Sequence, residues 1–252
     1  MFKKLLSLSL VMLTCLACNS QKSEQIKVGD DDTLRTQSGK EVSFLFFKHA
    51  SFEIKYDNLS IQIDPVRKIK DEELTDYSKM PKADFIFVTH EHFDHFDKDA
   101  IAALTGEKTQ IILNKNCAEM LGNGTAMSNG ETLKLRDDIT VEAVPAYNIT
   151  PDRQQFHPKG RDNGYVLSLD GLRIYIAGDT EDIPEMEQLK DIDIAFLPCN
   201  QPFTMTPQQL AHAATMIKPK VVYPYHFSET PVDEMKKALE DAKIKAIFRN
   251  MQ

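Results

Sequence analysis

The chain has 252 residues, a formal net charge of −8 and a sequence pI near 5.4. That length fits one large domain or two small ones, and the apolar and charged fractions are those of an ordinary globular protein. Collagenous, repetitive and wholly disordered classes are excluded, and the acidic balance argues against nucleic acid as a partner, which calls for a basic face.

Met1-Phe2-Lys3-Lys4 is a short basic start, and Leu5 to Leu16 is apolar apart from Ser and Thr. The run is too short to span a bilayer, which takes about 20 apolar residues, and it reads as a secretory signal over residues 1–17. Cys15-Leu16-Ala17-Cys18, a small residue before a Cys at the end of an apolar run, resembles a bacterial lipoprotein cleavage site. The resemblance implies lipid on Cys18, a membrane partner through that anchor, and a place in the bacterial cell envelope. Residues 18–40 are polar and lack apolar periodicity, and they read as a flexible tether to a domain spanning 41–252. Of the four cysteines, Cys117 and Cys199 stay in the domain. They are expected to be buried free thiols, although an extracytoplasmic setting permits pairing.

Within the domain, Val42 to Phe47 is a strand candidate. Phe52–Tyr56, the Asp57-Asn58 pair and Leu59–Asp64 read as a hairpin. Phe85–Val88 is a short buried strand, Asp97–Leu104 a helix, Ile111–Leu113 a strand, Asn116–Leu121 a helix and Ile139–Val144 a strand. Tyr165–Leu169, Asp170-Gly171 and Leu172–Ala177 repeat the hairpin, so the chain carries an internal echo that suggests two related halves. Ile183–Leu189, Thr206–Ile217 and Pro231–Asp241 read as helices, with Thr206-Pro207 as N-cap and first turn, and Val221–Tyr225 as a strand. Strands interleaved with helices in both halves predict an α/β fold with sheets buried under helices.

The chemistry concentrates in Thr89-His90-Glu91-His92-Phe93-Asp94-His95, where three imidazoles and the Asp94 carboxylate follow an apolar strand. Imidazole with carboxylate suits zinc, iron or manganese. Two more apolar strands run straight into candidate ligands, Ile174–Gly178 into Asp179 and Val221–Tyr225 into His226. Sites in α/β sheets gather beyond the carboxyl ends of strands.

His-x-His-x-Asp-His, then Gly178-Asp179-Thr180, then His226 at a late strand end resemble the metallo-β-lactamase superfamily over about residues 41 to 230. His49-Ala50-Ser51-Phe52, Ile63-Asp64-Pro65 and Phe203-Thr204-Met205-Thr206 are similar to its branch of small metal-dependent hydrolases that includes ascorbate-6-phosphate lactonase. The fold this implies is an αβ/βα sandwich, two mixed β-sheets face to face with helices outside. By the resemblance, His90 and His92 bind one divalent metal, Asp94, His95 and His226 bind a second, and Asp179 bridges the two, with zinc expected and manganese or iron as alternatives. The family's further His for the first metal is expected at 148, where this chain has Asn148. His157 is the substitute ligand, or a substrate contact, or the first metal binds weakly.

Two such cations can acidify a water held between them toward roughly pKa 7. The resulting hydroxide would attack a small ester, lactone or phosphodiester, with Asp94 ligating and orienting the nucleophile. Alternatives are a phospholipid-directed phosphodiesterase of the same fold and a non-catalytic metal-binding lipoprotein. Asp64 is expected to support the site by hydrogen bonds. His49 either lines the substrate side or packs in a loop, and Asn148 stands beside it as a substrate contact. Arg153, Lys159 and Arg161, on the polar loop around His157, are expected to meet an anionic substrate. His212, Tyr147 and Tyr225 are expected to be structural.

Overall fold

The computed structural model describes residues 28–29 and 32–251. The expected signal and Cys18 lie outside these residues. No helix among them is long and apolar enough to cross a membrane.

The first sheet begins with an antiparallel run of β1 (Thr33–Arg35), β2 (Glu41–Lys48), β3 (Ser51–Tyr56) and β4 (Leu59–Ile63). A two-stranded ribbon, β5 (Lys68–Ile69) and β6 (Glu72–Glu73), interrupts it. The sheet resumes in parallel with β7 (Phe85–Val88), β8 (Gln110–Leu113) and β9 (Thr125–Ala126), each strand beside the last. The second sheet repeats the plan. β10 (Thr132–Arg136), β11 (Ile139–Ala146), β12 (Asp162–Leu169) and β13 (Leu172–Ile176) run antiparallel. β14 (Ile194–Pro198) and β15 (Val221–Tyr225) then follow β13 in parallel. The echo in the sequence is therefore a repeated sheet order, antiparallel meander first and parallel strands after.

Alternation sorts side chains to the two faces of the first sheet. Phe85, Phe87 and Ile112 join the core between the sheets, while Ile86, Val88, Ile111 and Leu113 join a second cluster under α1 (Lys98–Leu104) and α2 (Lys115–Leu121). Between the sheets, Phe44 and Phe52 meet Phe196 at ring-centroid distances of 5.3 and 4.3 Å, and Phe87 meets Tyr165 at 5.3 Å. Helices α3 (Pro207–Ile217) and α4 (Val232–Asp241) pack together beside β14. The metallo-β-lactamase sandwich expected from the sequence is the fold observed. Thr206 caps α3 through a reciprocal capping box with Gln209, which satisfies two helix-end donors. Cys117 and Cys199 are free and buried.

Three expectations need correction. Ile183–Leu189 is a 3-10 segment (Pro184–Gln188), not an α-helix. Strand β14 went unanticipated because Asp191 and Asp193 break its apolar lead-in. The tether does not run to residue 40, because Thr33–Arg35 pairs with β2 as an edge strand. Asp32 is buried there, accepting from Arg249 Nε at 2.6 Å, Arg249 Nη2 at 2.7 Å and the Tyr223 hydroxyl at 2.8 Å. Thr36 Oγ1 and Ser38 Oγ donate to Asp170 in the hairpin turn of the second sheet, at 2.6 and 2.5 Å. Residues 32–40 thus fasten the ends of the chain and the two sheets together.

Removing the Asp32 carboxylate takes away the hydrogen bonds it accepts from Arg249 and the Tyr223 hydroxyl, and hydrogen bonds to a charged group are worth about 1.5–3 kcal/mol. Asp32→Ala is therefore expected to lower stability by about 1.5–3 kcal/mol, read as a drop in the urea midpoint with an unchanged m-value. An unchanged midpoint would return residues 32–40 to a loose tether.

Candidate metal centre

The carboxyl ends of the parallel strands in both sheets reach the same place. Asp64 follows β4, Thr89 to His95 follow β7, Asp179 follows β13, Asn200 follows β14 and His226 follows β15. The sheets are tied here by Asn163 N donating to Thr89 O at 3.1 Å and the Tyr165 hydroxyl to Val88 O at 2.9 Å. Turning sharply out of a strand requires unusual backbone. His49, Asp64 and His226 take φ of 58°, 40° and 48°, a region that costs non-glycine residues about 1–3 kcal/mol each. Gly178 takes φ +65°, and a Cβ there would lie 2.9 Å from Asn163 O, so only glycine can deliver Asp179 at this point.

Two groups of ligating side chains result. His90, His92, His157 and Asp179 form one, and His49, Asp94, His95 and His226 the other, with the ligand atoms of each within 4.8 Å of one another. Asp179 reaches members of both. Its Oδ2 lies 3.9 Å from His90 Nε2, 3.3 Å from His157 Nε2 and 3.5 Å from His226 Nε2, and its Oδ1 lies 3.3 Å from His95 Nε2. His157 therefore stands where a first-group ligand is expected. His49, expected either to line the substrate side or to pack in its loop, lies with the second group, with Nε2 3.1 Å from Asp94 Oδ2.

Outer partners aim the rings. His95 Nδ1 lies 2.8 Å from Asp64 Oδ2, and His157 Nδ1 lies 3.0 Å from Asp162 Oδ2. A carboxylate only accepts, so Nδ1 carries a proton and Nε2 is the atom left facing inward, toward a metal. Asp64 is itself held by Thr89 N and Oγ1 at 2.8 and 2.7 Å. His90 Nδ1 contacts Thr89 Oγ1 at 3.0 Å, and His226 Nδ1 contacts the Asn200 amide at 3.3 Å. Asp162 and Asn200 were not picked out from sequence, because both stand in polar loops with no local motif.

The electrostatics call for cations. His90 Nε2, His95 Nε2, His226 Nε2 and Asp179 Oδ1 are buried and lack hydrogen-bond partners, and buried polar groups rarely stay so. Burial, then neighbouring His95, drives the His90 pKa well below its ordinary value. Burial, then His226, lowers His49 to about 4. Burial opposes charge on His95, yet Asp179 and Asp64 outweigh it and raise its pKa far above the usual range. Burial likewise opposes charge on His157, but hydrogen bonds to Asp162 and Asp179 lift it to about 8. Asp179 and Asp94 stay ionised far below the carboxylate range. Their burial is overcome by His226 and His95 for Asp179, and by His226 and His49 for Asp94. A donor set of imidazoles with two ionised carboxylates, its inward atoms unpartnered, fits divalent metal ions.

The remaining expected contacts behave differently. Asn148 is buried, and its Nδ2 donates to Phe203 O at 2.7 Å and Arg153 O at 3.2 Å, so its amide fastens loops together. Its backbone N–H donates to His157 O at 2.8 Å. The three cations expected to meet an anion are each paired within the protein. Lys159 is largely exposed and bonds Glu185 at 2.7 Å and the Tyr147 hydroxyl at 3.1 Å. Arg161 bonds Asp162 at 2.6 Å and Glu91 at 3.2 Å, with Nη2 3.4 Å from His92 Nε2. Arg153 lies 3.5 Å from Glu181. His212 is exposed and pairs with Asp182, while Tyr147 and Tyr225 are buried.

Residues 43–226 match the beta-lactamase superfamily domain. The chain is 35% identical over 222 residues to a UPF0173 metal-dependent hydrolase of Thermococcus onnurineus, covering 79% of this chain and 93% of that one. A structure from Parabacteroides distasonis, described as a candidate metal-dependent hydrolase, is 53% identical, with a TM-score of 0.84 over 88% of this chain and 98% of that one. A metallo hydrolase from Ignicoccus hospitalis is 27% identical, with a TM-score of 0.68 over 82% and 94%. Ligand groups at the strand ends and relatives matched over most of their length agree: the chain belongs to the UPF0173 metal-dependent hydrolases of the metallo-β-lactamase superfamily.

Proposed function

We propose that the chain is a binuclear hydrolase of small esters or lactones, in keeping with the lactonase-like branch its motifs resemble. The observation that carries this is Asp179, a buried carboxylate within 3.9 Å of imidazoles from both ligand groups. His90, His92 and His157 would hold one ion, His49, Asp94, His95 and His226 the other, and Asp179 would serve both. Bound there, divalent ions supply Lewis acidity and acidify water, zinc being the expected metal.

The chain's own residues do the rest. Asp94 is a partly buried carboxylate of the centre, bonded by His49, and it stays ionised. It can orient an attacking water and accept its proton. Asp64 and Asp162 keep His95 and His157 in the ligating tautomer. The ester class is favoured over phosphate esters because Arg153, Lys159 and Arg161 are already paired with carboxylates. A purely structural metal site would not need its one accessible carboxylate, and nothing favours that reading. We also propose that Cys18 carries lipid and anchors the enzyme in the cell envelope, on the strength of Leu16-Ala17-Cys18 after the apolar run.

Metal content tests the centre. The purified chain is expected to hold about two zinc, manganese or iron ions, and His157→Ala about one. Asp94→Asn should keep most metal and lose at least 100-fold in kcat on ester or lactone substrates, the scale of an acid–base group. A single ion in the parent chain would sink the binuclear centre.

The pH dependence has a definite sign. His157 is raised from 6.5 to about 8 in the folded metal-free chain, so its protonation stabilises below pH 6.5, and that contribution is lost as pH rises through 8. It amounts to about 2 kcal/mol. Urea denaturation of chelated protein is expected to show this loss between pH 6.5 and 8, reduced in His157→Ala. Metal affinity should rise over the same interval, because the ion displaces that proton. Equal slopes in parent and variant would remove His157 from the titration.

For the anchor, cells fed labelled palmitate should label the parent chain and not Cys18→Ser, which should appear in the soluble fraction. Label on the variant would rule out Cys18.

A further inference from the structure

Among the described residues, five large apolar side chains are well exposed, namely Leu45, Phe93, Met120, Ile149 and Phe203. Single exposed apolar residues are ordinary, but three of these five stand on the segments that build the metal centre. Phe93, 61% exposed, lies between His92 and Asp94. Those two are the half-buried members of their groups, while the other six are buried. Solvent therefore reaches the centre beside Phe93.

The other two frame the loops opposite in sequence. Ile149, 37% exposed, follows Asn148. Phe203, 42% exposed, accepts the Asn148 amide on its carbonyl at 2.7 Å. Phe156, next to His157, sets its ring edge-on to Phe203 at 5.0 Å and so joins the two loops. A reactive centre with an apolar mouth and few charges is the general form of a small-molecule site. The neighbouring cations are answered by Glu91, Asp162, Glu181 and Glu185, so Phe93, Ile149 and Phe203 are the large apolar side chains that these segments leave well exposed.

We infer that Phe93, Ile149, Phe156 and Phe203 select an uncharged ester or lactone with a sizeable apolar acyl part. That part lies on these side chains while the carbonyl faces the open His92 and Asp94 side. The reaction is ordinary hydrolysis. Water oxygen bonds the carbonyl carbon, the carbon–oxygen bond to the leaving group breaks, and the leaving oxygen takes the water's proton. The inference rests on the hydrolytic reading above but makes a separate claim, about the surface rather than the bond.

The test uses the metal-loaded full chain with p-nitrophenyl acetate, butyrate and octanoate, and with bis(p-nitrophenyl) phosphate. Nile red, an uncharged dye, reports on the apolar surface without turnover. The expected result is a kcat/KM that climbs about 10-fold or more from acetate to octanoate and exceeds that for the phosphodiester, a gain within reach of burying a few methylenes. The octanoate-to-acetate ratio should fall about 10-fold in Phe93→Ser and in Phe203→Ser, and the double variant should no longer bind Nile red. A flat chain-length profile, a preference for the phosphodiester, or dye binding unchanged in the double variant would overturn the inference. Dye binding lost in the double variant, with no parent turnover of any of these compounds, would uphold the surface and count instead against the hydrolytic reading.

Discussion

The Asp179 carboxylate is buried among imidazoles contributed by both sheets, and the rest of the molecule is arranged to meet that constraint. A charge removed from water must be compensated in place. Here the compensation cannot come from the imidazoles alone. Burial, and after it like charge on neighbouring rings, drives His90 and His49 neutral, while the neighbouring carboxylates overcome burial and drive His95 and His157 toward the charged form. Such a split is a poor steady arrangement for a protein and a good one for a site that exchanges protons for metal.

The two sheets meet this demand by parallel means. In each, the loop between the second and third strands carries a histidine, His49 in the first and His157 in the second. In each, an aspartate follows the fourth strand, Asp64 after the first sheet's and Asp179 after the second's. The copies have diverged in task. Asp179 faces the ligating nitrogens, whereas Asp64 stands behind His95 and fixes its tautomer. Asp162 does for His157 what Asp64 does for His95. Rigid strands thus set the position of each ligand, and outer carboxylates set which nitrogen points inward.

This division explains what could be read from the sequence. The His90–His95 run, Asp179 and His226 were legible because each follows an apolar strand directly, so strand pattern and ligand chemistry coincide. The repeated hairpins were legible from alternation about Asp57-Asn58 and Asp170-Gly171. His49 was harder, because a lone histidine in a hairpin turn has no local pattern to separate ligand from packing. The repeat itself held the clue, since it places His49 and His157 in equivalent loops. The pairing of the cationic loop was hidden for a related reason. The partners of Arg153, Lys159 and Arg161 include Glu181, Glu185 and Glu91, each more than twenty residues away, and charge pairing at that separation is invisible to local reading. Strand β14 hid because Asp191 and Asp193 break the run leading into its short apolar stretch, and β1 because three residues are too few to show a period.

The place of His157 beside His90, His92 and Asp179, where the resemblance expects a histidine at 148, shows how much of a site lies outside its ligating side chains. In the family pattern the strand end itself supplies the histidine. Here β11 ends at Ala146, and the chain must travel out and back before His157 can enter. Three anchors close that excursion. The Asn148 N–H holds His157 O, Glu181 accepts the N–H groups of Ile149 and Thr150 at 2.8 and 2.6 Å, and Asp162 receives His157 Nδ1. Glu181 stands two residues beyond Asp179, so the loop that brings His157 in is fastened to the segment that carries the carboxylate reaching both groups. Bringing His157 into the first group from nine residues beyond Asn148 therefore takes a buried acid to hold the loop and another to hold the ring. The same excursion carries Ile149 and Phe156, so the loop that presents His157 also presents the apolar side chains of the proposed substrate surface.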